Sequence, residues 1–323
     1  MHRDIIAIGG SAGSLDTLLS IVAAFSADFK GNIFVALHIG NRPSQLPELL
    51  VHAGNLPVDA PRDREPIEPG RIYVAPSDRH LLVERQVVRL SRGPREHFTR
   101  PAIDPLFRSV AAAYGGRAIG VVLSGGGSDG ASGLDSIKRA GGISVVLDPR
   151  DAIAPDMPLA AAEIVEPDYL VRGVELPGLL ARLSGEGISE PEHIPSSRLP
   201  EPLQKPERPS ALTCPDCGGA LRKIGGGSNA QFRCHIGHIF GAGELLPAQV
   251  ELLEKALDVA QRVLSERIEL SRQMAEGSRA AGRTHGLRYW ERVRAETEQQ
   301  VEAIRRVLPD AVEAEDEPQV AAE

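Results

Sequence analysis

The chain has 323 residues, 42% apolar and 25% charged, enough to bury a full core and to divide into more than one unit. Its formal net charge of -8 argues against a generic nucleic-acid binder, which needs an excess of Lys and Arg to track phosphates. No apolar run of about 18 residues is available to cross a bilayer, and MHRDIIAIGG enters a strand pattern rather than a signal-peptide core. A cytoplasmic protein with no membrane insertion is expected.

From residue 4 to about 183, short apolar runs alternate with helical patterns. This is the signature of βαβ units, and it predicts an α/β fold with a doubly wound, mostly parallel sheet covered on both faces. The strand candidates are Ile5–Ile8, Ile33–His38, Arg71–Ala75, Ala118–Leu123 and Ile143–Leu147, and helices fit Leu15–Phe25, Gln45–His52, Ile103–Tyr114 and Ala131–Ala140. A β-hairpin insertion is expected at Leu81–Leu90, where apolar runs flank the polar Glu84–Gln86 turn. Residues 1–183 form the first expected domain.

The next segment, 184–213, carries Pro191, Pro195, Pro200, Pro202, Pro206 and Pro209 among polar residues and reads as a linker. A compact Cys- and Gly-rich unit follows at 214–242. Over 243–309, apolar positions Leu246, Val250, Leu253, Leu257, Ala260 and Leu264 step by four and three. A second stripe of Trp290, Val293, Thr297, Val301, Ile304 and Leu308 follows a break at Gly277–Gly286. Heptad spacing of this kind predicts a helical hairpin or a coiled coil. Residues 310–323 form an acidic tail.

In IIAIGGSAGS, Ser11 sits just past a buried strand and at the start of a helix. Such a turn can hold a phosphate on unpaired helix N–H groups, or it can present a nucleophile beside amides that stabilise an oxyanion. A dinucleotide fingerprint starting at Gly9 needs glycine at 11 and 14, where this chain has Ser11 and Ser14. The second strand ends in His38 rather than the acid that would hold a ribose, and no GK[ST] follows the glycines. The turn therefore reads as a catalytic serine with a histidine at the end of an adjacent parallel strand.

A third strand ends in VVLSGGGSDGASG, which contributes Asp129. If it neighbours the first two, Ser11, His38 and Asp129 converge at the carboxyl edge of the sheet, the usual ligand crevice of open α/β sheets. Ser11 then attacks an acyl carbon, His38 transfers its proton, and Asp129 fixes the imidazole. The amides of Ala12 and Gly126 are the candidate oxyanion donors. Taken singly, each residue has a plainer reading: a capping serine, a satisfied core histidine and an N-cap aspartate.

These residues resemble the catalytic domain of the chemotaxis protein-glutamate methylesterase, CheB. The blocks that carry the resemblance are IGGSAGS, VALHIG, RIYVAPSDRHLLVE, RPAIDPLFRSVA, LSGGGSDGASG and PDMPLAAAE, in order between about residues 4 and 183. The resemblance implies that Ser11, His38 and Asp129 are nucleophile, base and third triad member. It also implies hydrolysis of glutamyl methyl esters on chemoreceptors, with related deamidation of glutamine, and no cofactor for catalysis. Two positions depart from the family pattern, Ser14 where a second glycine is usual and Gly126 where methionine is common. Members commonly carry a phosphoacceptor receiver domain ahead of the catalytic one. Here the resemblance begins at residue 4, so control by an attached receiver is not expected.

Of the remaining residues, Arg100 and Asp104 are expected to pair and pin a helix start, with a grip on substrate as the alternative, and Asp156 and Met157 to lie in a loop near the cleft. His80 and His97 read as surface or loop residues. The three cysteines give Cys214-x2-Cys217 and, after a short hairpin, Cys234-x3-His238. Two close pairs of this kind suit a tetrahedral zinc ion, and four protein ligands leave no open position for catalysis. A structural zinc ribbon is predicted, with His235 as the alternative fourth ligand. Arg222, Lys223 and Arg233 form too thin a basic patch for nucleic acid.

The expected substrate partner is a methylated chemoreceptor or similar sensory protein. The C-terminal helices are candidates for a signalling partner or a homodimer. An esterase or amidase for another acyl substrate and a scaffold with an idle triad are the competing readings.

Overall fold

A computed structural model describes residues 2–39, 44–187, 209–226 and 230–312, with side chains for all of these except 209 and 307–312. The central sheet has seven strands, β1 (Ile5–Gly10), β2 (Asn32–Leu37), β3 (Val58–Asp59), β4 (Ile72–Val74), β7 (Ala118–Val122), β8 (Ile143–Leu147) and β9 (Tyr169–Val171), in the order β3-β4-β2-β1-β7-β8-β9. Every pairing is parallel. Along β1, Ile5 and Ala7 enter one core while Ile6 and Ile8 enter the other, so the strand is buried on both faces and reads as a continuous apolar run.

One face is covered by α1 (Leu15–Ala23), α2 (Leu46–Ala53) and α6 (Leu176–Gly185), through Leu18, Ile21, Leu50 and Leu180 among others. The opposite face is covered by α3 (Ile103–Tyr114), α4 (Ala131–Arg139) and α5 (Asp156–Ile164), together with the antiparallel hairpin of β5 (His80–Glu84) and β6 (Val87–Ser91). The chain builds outward from β1, first through β2 and then through β7. The strand order therefore reverses at β1 and β7, the place where α/β sheets open a crevice.

The five predicted strands and the hairpin are all present. The edge strands β3 and β9, two and three residues long, were not expected, because so short a run carries almost no alternation. Residues 209–213, expected in the linker, form β10 (Pro209–Thr213). It opens a four-stranded antiparallel sheet with β11 (Ala220–Ile224), β12 (Gln231–Cys234) and β13 (Ile239–Gly241). This small sheet packs around Cys214, Leu221, Cys234, Phe240 and Leu245. At the other end of the expected linker, Ser184 and Gly185 close α6, and 188–208 lie outside the described residues, as does the acidic tail from 313.

Two compact units result, residues 1–245 and 246–323. Helix α7 (Ala242–Ala280) runs straight through Gly277, and α8 (Thr284–Val312) includes Gly286, so the expected break narrows to residues 281–283 around Gly282, at φ 66°. A glycine inside a long helix costs only about 1 kcal/mol and does not end it. Within the second unit Ser271, Ala275, Val293 and Thr297 are buried. Among the described residues no helix is long and apolar enough to cross a membrane.

Candidate active site

The ladder pairs Gly10 with Leu37, and His38 N–H donates to the Gly10 carbonyl at 3.2 Å, so Ser11 and His38 follow one another off neighbouring strand ends. Ser11 N–H donates to the Ser124 carbonyl at 2.8 Å, which ties the serine turn to the end of β7. Gly13 sits at φ 75°, a conformation glycine adopts without strain, and this lets the turn close before α1. Ser14, the departure from the family glycine, is fully buried and its Oγ donates to the Ser11 carbonyl at 2.6 Å. Ser124 Oγ donates to the Ala12 carbonyl at 2.7 Å and accepts from Ala154 N–H at 2.9 Å. The turn is thus held from inside, below and beside.

Asp129 lies in the loop between β7 and α4, 1% exposed, and accepts from His38 Nε2 at 2.8 Å. Its two oxygens also accept the first amides of α3, from Ile103 at 2.7 Å and Asp104 at 2.9 Å. A carboxylate at a helix N-terminus satisfies orphan donors and meets the positive end of the dipole. Burial alone would raise its pKa. His97, the His38 hydrogen bond and the Ile103 amide outweigh burial and hold it below the ordinary carboxylate range.

Of the two candidate oxyanion donors, Ala12 follows Ser11 directly, and Gly126 lies in the Gly-rich turn ahead of Asp129. Their neighbours Ser11 N and Gly125 N are committed to the Ser124 and Ala154 carbonyls. The nearest atom to a Cβ placed on Gly126 would be Asp156 Oδ2 at 3.9 Å, an ordinary contact, so a Cβ there meets no clash. Asp156 and Met157, expected in a loop, instead begin α5. Met157 is buried, and its N–H donates to the Gly125 carbonyl at 2.8 Å.

Three other expectations are corrected. Arg100 does not pair with Asp104: it grips Asp78 Oδ1 at 2.6 Å and the Gly93 carbonyl at 2.7 Å. His80 is buried, donating from Nε2 to the Pro94 carbonyl and accepting Ala102 N–H at Nδ1. His97, expected at the surface or in a loop, lies in a turn but is buried against Asp104 at 3.1 Å, Asp129 at 3.9 Å and Glu244 at 2.7 Å. Both of its ring nitrogens face carboxylates, so both carry protons. Burial opposes that charge, but Glu244, Asp129 and Asp104 raise its pKa well above the ordinary imidazole value. A histidine in the polar REHFTR stretch gives no local sign of this, because its partners come from distant parts of the chain.

In the small sheet, Cys214, Cys217, Cys234 and His238 bring one donor atom each within 4.8 Å of the others. Cys217 Sγ lies 3.7 Å from Cys234 Sγ, and His238 Nδ1 lies 3.5 Å from both Cys214 Sγ and Cys234 Sγ. A tetrahedral zinc ion with bonds of ~2.3 Å to sulfur and ~2.0 Å to nitrogen has edges of ~3.8 and ~3.5 Å. The donor set fits that ion. The other imidazole nitrogen of His238 lies 3.9 Å from Asp216, beyond hydrogen-bond distance.

Comparison with known proteins bears on the parallel-sheet part of the chain above all. A Leptospira interrogans protein whose provisional name is protein-glutamate methylesterase/protein-glutamine glutaminase is 35% identical over 192 residues, 59% of this chain and 100% of its own length. A Maricaulis maris protein-glutamate methylesterase/protein-glutamine glutaminase is 36% identical over 188 residues, 56% of this chain. The match spans 47%, about half, of that longer relative. The crystal structure of the Thermotoga maritima CheB methylesterase catalytic domain superposes with a TM-score of 0.53 at 29% identity, covering 56% of this chain and 98% of that one. The family model described as CheB methylesterase matches residues 6–180, the stretch that contributes all seven strands of the parallel sheet but for the first residue of β1, and on that match the chain belongs to the CheB methylesterase family.

Proposed function

We propose that this chain hydrolyses glutamyl methyl esters on a methylated chemoreceptor or a similar sensory protein, and deamidates glutamine side chains by the same acyl chemistry. The observation that carries this reading is the 2.8 Å contact of His38 Nε2 with Asp129, beside Ser11 at the edge where the strand order reverses. An ionised carboxylate only accepts, so Nε2 holds the ring proton and Nδ1 is left as the base. Ser11 Oγ attacks the ester carbonyl carbon as Nδ1 takes its proton. The tetrahedral oxyanion collapses, and the leaving group takes that proton, methoxide departing from the ester as methanol and the amide nitrogen departing from glutamine as ammonia. Water, deprotonated by the same nitrogen, then cleaves the acyl-serine to the carboxylate and returns Ser11. Asp129 stabilises the imidazolium in both halves, and Ala12 and Gly126 N–H are the proposed oxyanion donors.

The same reading gives Cys214, Cys217, Cys234 and His238 a structural metal, closed by four protein ligands and separate from the ester chemistry. Methanol release from methylated receptor tests the central claim. Ser11→Ala is expected to lose at least ~10³-fold in kcat while melting cooperatively like the wild type. Equal rates for the two proteins would overturn the assignment.

A further inference from the structure

The small sheet is docked on the active-site side of the first unit through a defined set of contacts. His97 N–H donates to the Ile239 carbonyl at 2.7 Å, and the Phe98 and Phe240 rings lie 4.5 Å apart. Gln231 Nε2 donates to the buried Asp104 at 3.1 Å. Glu244, in the first turn of α7, reaches furthest. One of its oxygens accepts both the amide and the hydroxyl of Ser128 at 3.0 Å, the other accepts Gly241 N–H at 3.0 Å, and both face His97 Nδ1.

Ser128 precedes Asp129, and Gly127, at φ 78°, lies against the same carboxylate. A single side chain therefore grips the turn that carries both Asp129 and Gly126, directly through Ser128 and again through His97. Only β13 and the start of α7 separate Glu244 from the metal ligand His238. Without a metal, a sheet built on so few buried residues has little to hold that connection in place.

We propose that Glu244 and His97 are positioning residues for the esterase, and that metal occupancy of the small sheet keeps Glu244 clamped on the 126–129 turn. The proposal rests on the Ser11–His38–Asp129 reading. It gives the sheet a part in catalysis without any step at the metal. The groups facing His97 are Asp104, Asp129 and Glu244, with Arg108 3.8 Å from Asp104 and paired to Glu96. Removing Glu244 thus leaves the imidazolium with a partner on one side only.

The test uses the full chain, zinc-loaded, chelator-stripped and reloaded, and two readouts: hydrogen exchange of the 124–130 peptide, and the rate of covalent labelling of Ser11 by a fluorophosphonate. Stripping is expected to speed exchange at 124–130, with 118–122 unchanged as the sign of an intact domain, and to slow labelling about tenfold. Reloading with zinc restores both. Glu244→Ala with its zinc retained is expected to show the faster exchange and slower labelling of the stripped protein, while Glu244→Gln, which keeps an acceptor for the Ser128 amide but loses the charge facing His97, falls between. Wild-type exchange and labelling in the stripped protein or in zinc-bound Glu244→Ala would overturn the clamp. A loaded wild type that labels at no serine defeats the triad reading instead, and the exchange measurement still decides the clamp.

Discussion

Asp129 is the residue on which the electrostatics of the site converge, because one buried carboxylate serves His38, two amides of α3 and the His97 charge. Replacing it with Asn keeps its shape but permits the wrong imidazole tautomer, so Asp129→Asn is expected to lower kcat by ~10³–10⁴-fold in methanol-release kinetics, with a much smaller change in KM. His97 makes a separate, pH-dependent contribution to stability. Its folded pKa is raised, so that contribution is complete below the unfolded value of ~6.5 and is lost as pH rises through the folded value. The stability difference between wild type and His97→Asn, measured by urea unfolding, should therefore be largest below pH ~6.5 and shrink toward alkaline pH. A constant difference across that range would show that folding does not raise the His97 pKa, and one that shrinks below pH ~6.5 would show that His97 is held neutral.

At the scale of elements, α3 does more than cover the sheet. Its apolar face, with Ile103, Leu106, Phe107 and Val110 fully buried, fixes the helix so that its free N-terminal amides point at Asp129. The serine turn depends in the same way on Ser124, whose hydroxyl bridges the turn and the loop ahead of α5. Ser124→Ala leaves the Ala12 carbonyl and Ala154 N–H without that partner. It is expected to cost ~1–3 kcal/mol in denaturant unfolding and to reduce kcat more than KM. In the small sheet, Phe240 is fully buried against Phe98. Phe240→Ala should destabilise the sheet by ~3–5 kcal/mol and speed chelator-driven zinc release, followed with a chromogenic chelator.

For the whole molecule, the division into residues 1–245 and 246–323 places every residue of the proposed chemistry and of the clamp in the first unit. A chain ending after Leu257 keeps about four turns of α7, enough to hold Glu244 in its helix. It is expected to label at Ser11 within about twofold of the full chain, whereas one ending after residue 187 should be slower by about tenfold. If the shorter chain labels as fast as the full one, the small sheet has no part in catalysis.

Features written in neighbouring residues were legible from the sequence. The alternation of apolar runs and helical patterns led to the parallel sheet because strands buried on both faces need continuous apolar residues. The serine turn, the histidine at a strand end, the acid in LSGGGSDGASG and the paired cysteines are spacings of a few residues, and the family blocks lie in order along the chain. Tertiary structure alone decided which strand ends are neighbours, and so that Asp129 reaches His38 across 91 residues. It alone buried His97 and brought Glu244 to it across 147 residues, and it sent Arg100 to Asp78 rather than Asp104. The physical reason is that a polar side chain's pattern does not announce its partner. Burial demands that a charge be paired, but the fold chooses with what.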